Sequence, residues 1–95
     1  SKFGYATASI SIDESGSIAD GPYLSVRGLS ELDGSLADES VDILEEACEE
    51  AIDGLSRRKR LDDSAVEAVL VRAIRKSCER EFGRKPLVDI TIMRV

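Results

Sequence analysis

Apolar and polar residues alternate in three stretches of the chain, and in two longer stretches apolar residues recur every three or four positions. A two-residue period is typical of a strand with one buried face, and the longer period is typical of an amphipathic helix. The pattern predicts strands at about 4–13, 22–30 and 87–94, and helices at about 37–57 and 63–82. We therefore expect an α+β domain of order β-β-α-α-β, with two helices packed on one face of a three-stranded sheet.

The predicted helix ends carry recognisable signals. Ser64 and Glu67 have the spacing of a capping box, so the second helix is expected to begin there. Gly83, followed by Pro86, predicts where that helix stops. Residues 57–60 are all basic, which suits the carbonyl end of the first helix, and we expect them to close it and link it to the second.

Glycine and proline mark the connections between the other elements. Residues 14–21 are expected to form a loop of hairpin length, so the first two strands are expected to be antiparallel. Gly28 predicts a bulge or a close approach of backbone within the second strand. Residues 33–35 combine turn chemistry with helix-start chemistry.

A chain of 95 residues makes one domain with a single core. It has no apolar run long enough to span a membrane and no secretion signal, so a cytoplasmic location and no membrane partner are expected. Cys48 and Cys78 lie on the apolar stripes of the helices and are expected to be buried, reduced thiols. Histidine is absent, which excludes Cys-His, Ser-His-Asp and His-rich zinc sites. Neither catalytic, cofactor-binding nor metal-binding residues are predicted.

Charge is unevenly distributed within a net charge of −6. Residues 1–54 hold 13 acidic and 2 basic side chains, whereas residues 55–95 hold 11 basic and 6 acidic ones. The acidic side chains of the first helix form a solvated face without the spacing of a calcium loop. The basic run Arg57, Arg58, Lys59 and Arg60 is a candidate site for RNA phosphates, although aromatic side chains do not accompany it.

The same two-residue period places several large side chains on the sheet face away from the helices. Tyrosine and methionine are frequent anchors of protein interfaces. The candidate protein interface consists of Tyr5, Tyr23, Leu87 and Met93, with Phe3 and Val95 as further members. The exposed edges of a three-stranded sheet are a second means of pairing with another chain. The alternative is that scattered apolar residues on a surface have no partner.

Two stretches of the sequence resemble a known family. They are Gly21 to Leu29 (GPYLSVRGL) and Arg84 to Val95 (RKPLVDITIMRV), joined by an acidic helix and a second helix. Together they resemble the C-terminal domain of ribonuclease J, over nearly the whole chain from about Tyr5 onward. The resemblance implies that residues 1–95 are the C-terminal domain of a larger enzyme.

Ribonuclease J enzymes are zinc-dependent metallo-β-lactamase and β-CASP proteins that degrade and mature RNA as 5′-3′ exonucleases and endonucleases. The resemblance implies that this domain is itself not catalytic, and that it supports oligomer assembly and the activity of the parent. The implied partners are a second copy or the catalytic domains of the same enzyme, with RNA binding and zinc assigned to the parent. Two alternatives are an accessory RNA-binding domain, using the basic linker and second helix, and a stand-alone protein-interaction domain.

Overall fold

The computed structural model describes residues 3–29 and 38–95, and its elements follow the predicted order with one short helix added. The strands are β1 (Tyr5–Ile12), β2 (Ile18–Arg27) and β3 (Leu87–Arg94). The helices are α1 (Asp38–Asp53), α2 (Arg57–Arg60) and α3 (Asp63–Phe82). This architecture confirms the α+β prediction. The predicted turn at 33–35 and the predicted start of the first helix at residue 37 lie outside the described residues.

The three strands form one mixed sheet in the order β2-β1-β3. β1 pairs with β2 in the antiparallel direction, as predicted, and Ala6 is level with Val26. β1 pairs with β3 in the parallel direction, and Ala6 is also level with Val88. A parallel return requires a long crossover, and the helices between β2 and β3 supply it.

The core lies between one face of the sheet and the two long helices. β1 contributes its even-numbered side chains, α1 packs beneath β2 and against α3, and α3 packs beneath β3. The buried apolar residues are Ala6, Ala8, Ile10, Ile12, Val26, Leu29, Leu44, Cys48, Ile52, Val66, Leu70, Ile74 and Cys78. No helix in the described part of the chain is long and apolar enough to cross a membrane.

The second strand begins at Ile18, four residues before the predicted start at residue 22. The Asp13 carboxylate shortens the loop, because it accepts hydrogen bonds from the Ser15 and Ser17 N–H groups at 2.9 and 3.0 Å. The Asp13 N–H also donates to the Ser17 carbonyl at 2.9 Å, and Gly16 adopts a φ of +87° in the turn. Strand pairing therefore resumes with Ile12 level with Ile18.

Gly21 and Pro22, which we assigned to the end of the loop and the start of the strand, lie well inside β2 at an irregular pairing. The register between β1 and β2 shifts between Ser9 and Ser11, opposite this dipeptide. Gly21 has a φ of +82°, and a Cβ atom there would lie 2.8 Å from the Ser9 carbonyl oxygen. The irregular pairing in β2 is therefore at Gly21, whereas Gly28, where we predicted a bulge or a close approach of backbone, lies just after the last residue of the strand.

The first helix ends at Asp53 rather than at residue 57. Gly54 donates to the Glu50 carbonyl and Leu55 to the Ile52 carbonyl, both at 3.0 Å, which closes the last turn. Ser56 then caps a new helix by accepting a hydrogen bond from the Lys59 N–H. The basic run predicted to end the first helix thus forms α2.

The third helix has the predicted bounds but a different N-cap. The Asp62 carboxylate accepts a hydrogen bond from the Ser64 N–H at 3.0 Å, so Asp62 is the capping residue and Ser64 lies inside the helix. Aspartate and serine are similarly good caps, so cap preference alone does not distinguish the two positions. Gly83 ends the helix in the left-handed conformation, and its N–H donates to the Glu79 carbonyl. The predicted stop at Gly83 is confirmed.

Candidate functional site

The outer face of the sheet, which is the side away from the helices, carries all four residues of the predicted interface. Tyr5 is level with Leu87, Tyr23 is level with Ser9, and Met93 is level with Ser11. Tyr5, Tyr23, Leu87 and Met93 are 41%, 59%, 56% and 48% exposed. Because the helices occupy only the opposite face, no described element covers these side chains.

Hydrogen bonds hold the two tyrosines of the outer face. The Tyr5 hydroxyl donates to the Asp89 carboxylate on β3, and the Tyr23 hydroxyl donates to Asp20 within β2. The hydrogen bond to each carboxylate raises the pKa of its tyrosine above the ordinary value. Neither aspartate is among the residues predicted from the sequence. Asp89 is two residues from Leu87 on β3, so the two-residue period could have placed it on the outer face. The position of Asp20 depends on the irregular pairing of β2, which that period does not predict.

The middle of the outer face is a shallow depression of about 300 Å³. Its outer-face lining consists of Thr7, Ser9, Tyr23, Ser25 and Thr91. Apart from Tyr23, these are small hydroxyl side chains, and they lie on the central strand and on both edge strands. A low polar floor with an aromatic and apolar rim suits contact with side chains of another protein. It offers no acid, base or activated nucleophile for catalysis.

The four residues of the candidate RNA site do not act as one group. Arg57, Arg58 and Lys59 are exposed on α2, and their side chains make no hydrogen bond or ion pair with the described residues. Arg60 is turned to the protein, where its Nε donates to the Leu55 carbonyl at 3.0 Å and its Nη2 to the Asp53 carbonyl at 3.1 Å. Arg60 thus closes the carbonyl end of α1 with two of its three guanidinium nitrogens.

A second basic group, which we call the basic end, surrounds the start of β3. It is a groove of about 350 Å³ lined by Arg72, Arg75, Lys76, Glu79 and Lys85. Arg75 Nη1 donates to the Pro86 carbonyl at 2.8 Å, and Lys85 pairs with Glu79 at 3.8 Å. Arg72 and Lys76 are exposed and form no ion pair with described residues, so the groove keeps a positive charge.

The opposite end of β3 is acidic, and we call it the acidic end. A depression of about 450 Å³ there is lined by Asp13, Glu14, Asp62 and Asp63 around Arg94. Arg94 Nη2 pairs with Asp63 at 2.8 Å, and its Nη1 donates to the Arg60 carbonyl at 2.8 Å. Hydrogen bonds from Ser15 and Ser17 lower the pKa of Asp13, which keeps it charged.

Both cysteines are free and buried in the core, as expected. Burial raises the pKa of Cys48 to about 12 and that of Cys78 to about 11. Thiols with such pKa values are poor nucleophiles and poor metal ligands at neutral pH. Within the described ranges, no group of three or more His, Cys, Asp or Glu residues is placed to hold a metal ion.

Comparison with known proteins agrees with the resemblance noted in the sequence. The family model of the ribonuclease J C-terminal domain matches residues 1–95, the whole chain. No curated protein matches the chain. The match includes both of the stretches that carry the resemblance, from Gly21 to Leu29 and from Arg84 to Val95, and it confirms the family.

Proposed function

The chain belongs to the family of ribonuclease J C-terminal domains, and from this premise we propose that it is a non-catalytic accessory domain of a ribonuclease J-like enzyme. In this proposal the parent degrades and matures RNA in the cytoplasm as a 5′-3′ exonuclease and endonuclease. The domain acts by protein contact, either with a second copy or with the catalytic domains, and it supports oligomer assembly and activity of the whole enzyme.

The observation that carries this proposal is the uncovered outer face of the sheet. It presents Tyr5, Tyr23, Leu87 and Met93 to solvent on one side of the domain. Hydrogen bonds to aspartates hold both tyrosines in the absence of a partner. A side chain that is already held loses less conformational entropy on binding, which favours an interface role.

In this proposal, the zinc site of the parent enzyme lies outside this domain. A catalytic zinc site needs three or more nitrogen, sulfur or oxygen ligands around one point. The chain has no histidine, and its described residues bring together no set of potential ligands. The residues of this domain therefore do not fit zinc, and we assign zinc-dependent hydrolysis to the catalytic domains of the parent.

Substitutions on the outer face test the proposal in the parent enzyme. Tyr23→Ser and Met93→Ser are expected to lower the sedimentation coefficient of the assembled enzyme and its specific activity on RNA. Ile43→Ser is the matched control, since Ile43 is a 37% exposed apolar residue on α1, far from the outer face. Isoleucine and serine have similar helix propensities, so α1 is little affected. Equal assembly and activity in all three variants would contradict the proposal.

An accessory RNA-binding role is the second candidate, favoured by the three exposed cations of α2. Replacing Arg57, Arg58 and Lys59 together by glutamine removes them while Arg60 keeps α1 closed. If these cations bind RNA phosphates, the affinity of the chain for single-stranded RNA falls steeply with salt, and the triple variant loses about two units of the salt slope. Unchanged binding in the triple variant would exclude this role for α2.

A further inference from the structure

The outer edge of β3 is open. Leu87 donates its N–H to the Gly4 carbonyl, and Val95 donates to the Ile12 carbonyl, both at 3.1 Å. In a parallel pair, alternate residues direct both backbone groups to the same neighbour. The odd-numbered residues of β3 therefore bond to β1, while Val88, Ile90 and Ile92 direct their N–H and C=O groups away from it. No strand in the described ranges pairs with that edge.

The edge also lacks the features that normally prevent pairing with another chain. Proteins protect exposed edges with proline, lysine, bulges or inward charges. Between Leu87 and Met93, β3 has no proline and no basic residue, its pairing with β1 is regular, and its single charge, Asp89, lies on the outer face. Two copies of such a strand can extend each other's sheet.

One antiparallel register of β3 with itself matches the side chains on both faces. When Ile90 lies opposite Ile90 of a second copy, Leu87 lies opposite Met93 on the outer face, and Val88 opposite Ile92 on the inner face. Asp89 then lies opposite Thr91, where a hydrogen bond can form. The neighbouring register, centred on Thr91, places Asp89 opposite Met93. The apolar pattern therefore selects the register centred on Ile90.

The charges at the two ends of β3 also favour a two-fold axis at Ile90. The basic end is fixed to Pro86 by Arg75, and the acidic end is fixed to Arg94 by Asp63. Ile90 lies midway between Pro86 and Arg94. A two-fold axis at Ile90 therefore brings the basic end of each copy level with the acidic end of the other, which is attractive over the distances at which charges act in dilute salt.

We propose that two copies of this chain pair through the open edge of β3, antiparallel and centred on Ile90, to form one continuous six-stranded sheet. This inference rests on the proposed function, and it names a second copy as the partner. Each half contributes its three-stranded sheet, so the outer faces of both copies join into one surface. Leu87 and Met93, exposed in one copy, cover each other across the new pair.

Disulfide trapping between two single-cysteine variants tests both the edge and the register. Asp89 and Thr91 form a non-hydrogen-bonded pair across the proposed axis, with a Cα separation of about 4.5 Å. This distance lies within the range that a disulfide spans, about 4.4 to 6.8 Å. A mixture of the Asp89→Cys and Thr91→Cys chains is expected to cross-link under mild oxidation, and neither variant alone is expected to do so. The native thiols are buried and stay out of the reaction.

Sedimentation of the unmodified chain is the second test, and it measures the dissociation constant of the proposed dimer. We expect a dimer whose dissociation constant rises at least about threefold between roughly 50 and 500 mM NaCl, because salt screens the attraction between the ends. Cross-linking of Thr91→Cys alone would overturn the register, and dimers without any cross-link would overturn edge pairing. A chain that stays monomeric at millimolar concentration would overturn self-pairing.

These failures are distinguishable from failure of the proposed function. The outer-face variants of the parent enzyme report whether the domain supports assembly and activity by any contact. A parent that depends on Tyr23 and Met93, together with a chain that does not cross-link, would keep the accessory role and reject only the β3 pairing.

Discussion

The Arg60 side chain connects α2 to the end of α1, and its removal is expected to destabilise the domain. Its guanidinium donates to the carbonyls of Leu55 and Asp53 at 3.0 and 3.1 Å. A hydrogen bond from a charged group contributes about 1.5 to 3 kcal/mol when protected, and less where water competes. Since the bond to Asp53 is exposed, we expect Arg60→Met to lower the free energy of unfolding by about 2 kcal/mol. For a domain of this size that corresponds to a fall in Tm of roughly 8 to 16 °C.

Arg58→Met is the matched control, because Arg58 lies on the same turn of α2 but is exposed, and its side chain has no partner among the described residues. Arginine and methionine have similar helix propensities, so this change is expected to stay within about 0.5 kcal/mol. Urea unfolding followed by circular dichroism at 222 nm measures both. Equal midpoints for the two variants would refute the structural role of Arg60 and return it to the candidate RNA site.

Three further predictions follow from single features of the fold. Gly21→Ala is expected to cost about 2 kcal/mol or more, because it combines a left-handed residue with a contact 2.8 Å from the Ser9 carbonyl. Gly54→Ala, whose Cβ would meet nothing closer than 3.5 Å, is expected to be near neutral in the same unfolding assay, and the reverse order would contradict the reasoning. Cys48 and Cys78 are expected to resist a thiol reagent at pH 8 until the chain unfolds. The free energy of unfolding is expected to fall as the pH rises above 9.0, because thiols of the unfolded chain then ionise while those of the folded chain, with pKa values of about 12 and 11, do not. Rapid labelling of the native chain would show that the thiols are accessible. The purified chain is expected to hold no stoichiometric zinc and to leave RNA intact at catalytic concentrations, as metal analysis and an RNA decay assay would show.

Most residues of the candidate site could be predicted from the alternation of side chains between the two faces of each strand. Tyr5, Leu87 and Met93 are odd-numbered residues of strands whose even-numbered apolar side chains are buried in β1 and half-buried in β3, so their common face could be predicted. The tyrosine partners were harder to predict. Asp20 reaches Tyr23 within a strand whose pairing shifts near Gly21, and a period of two does not reveal such a shift.

The four basic residues of α2 show a different limit. From the sequence alone, residues 57–60 are one run of like charges, because no neighbouring residue distinguishes one of these cations from another. In the folded chain Arg60 lies within reach of two carbonyls at the end of α1, and the others do not. Which cation is structural depends on the direction in which a short helix leaves the preceding one, and that direction is set by packing.

The sequence by itself determined the three strands and the two long helices, their order, the stop at Gly83 and the face that β1 and β3 direct to the core. These features depend on the spacing of apolar residues and on local backbone chemistry, which act over a few positions. Tertiary structure alone decided that β1 lies between β2 and β3, so that β2 and β3 are the two edge strands of the sheet. It also decided that Tyr5 on β1 donates its hydrogen bond to Asp89 on β3. In each case several local solutions were equally good, and the one adopted is the one that lets the helices and the sheet share a single core.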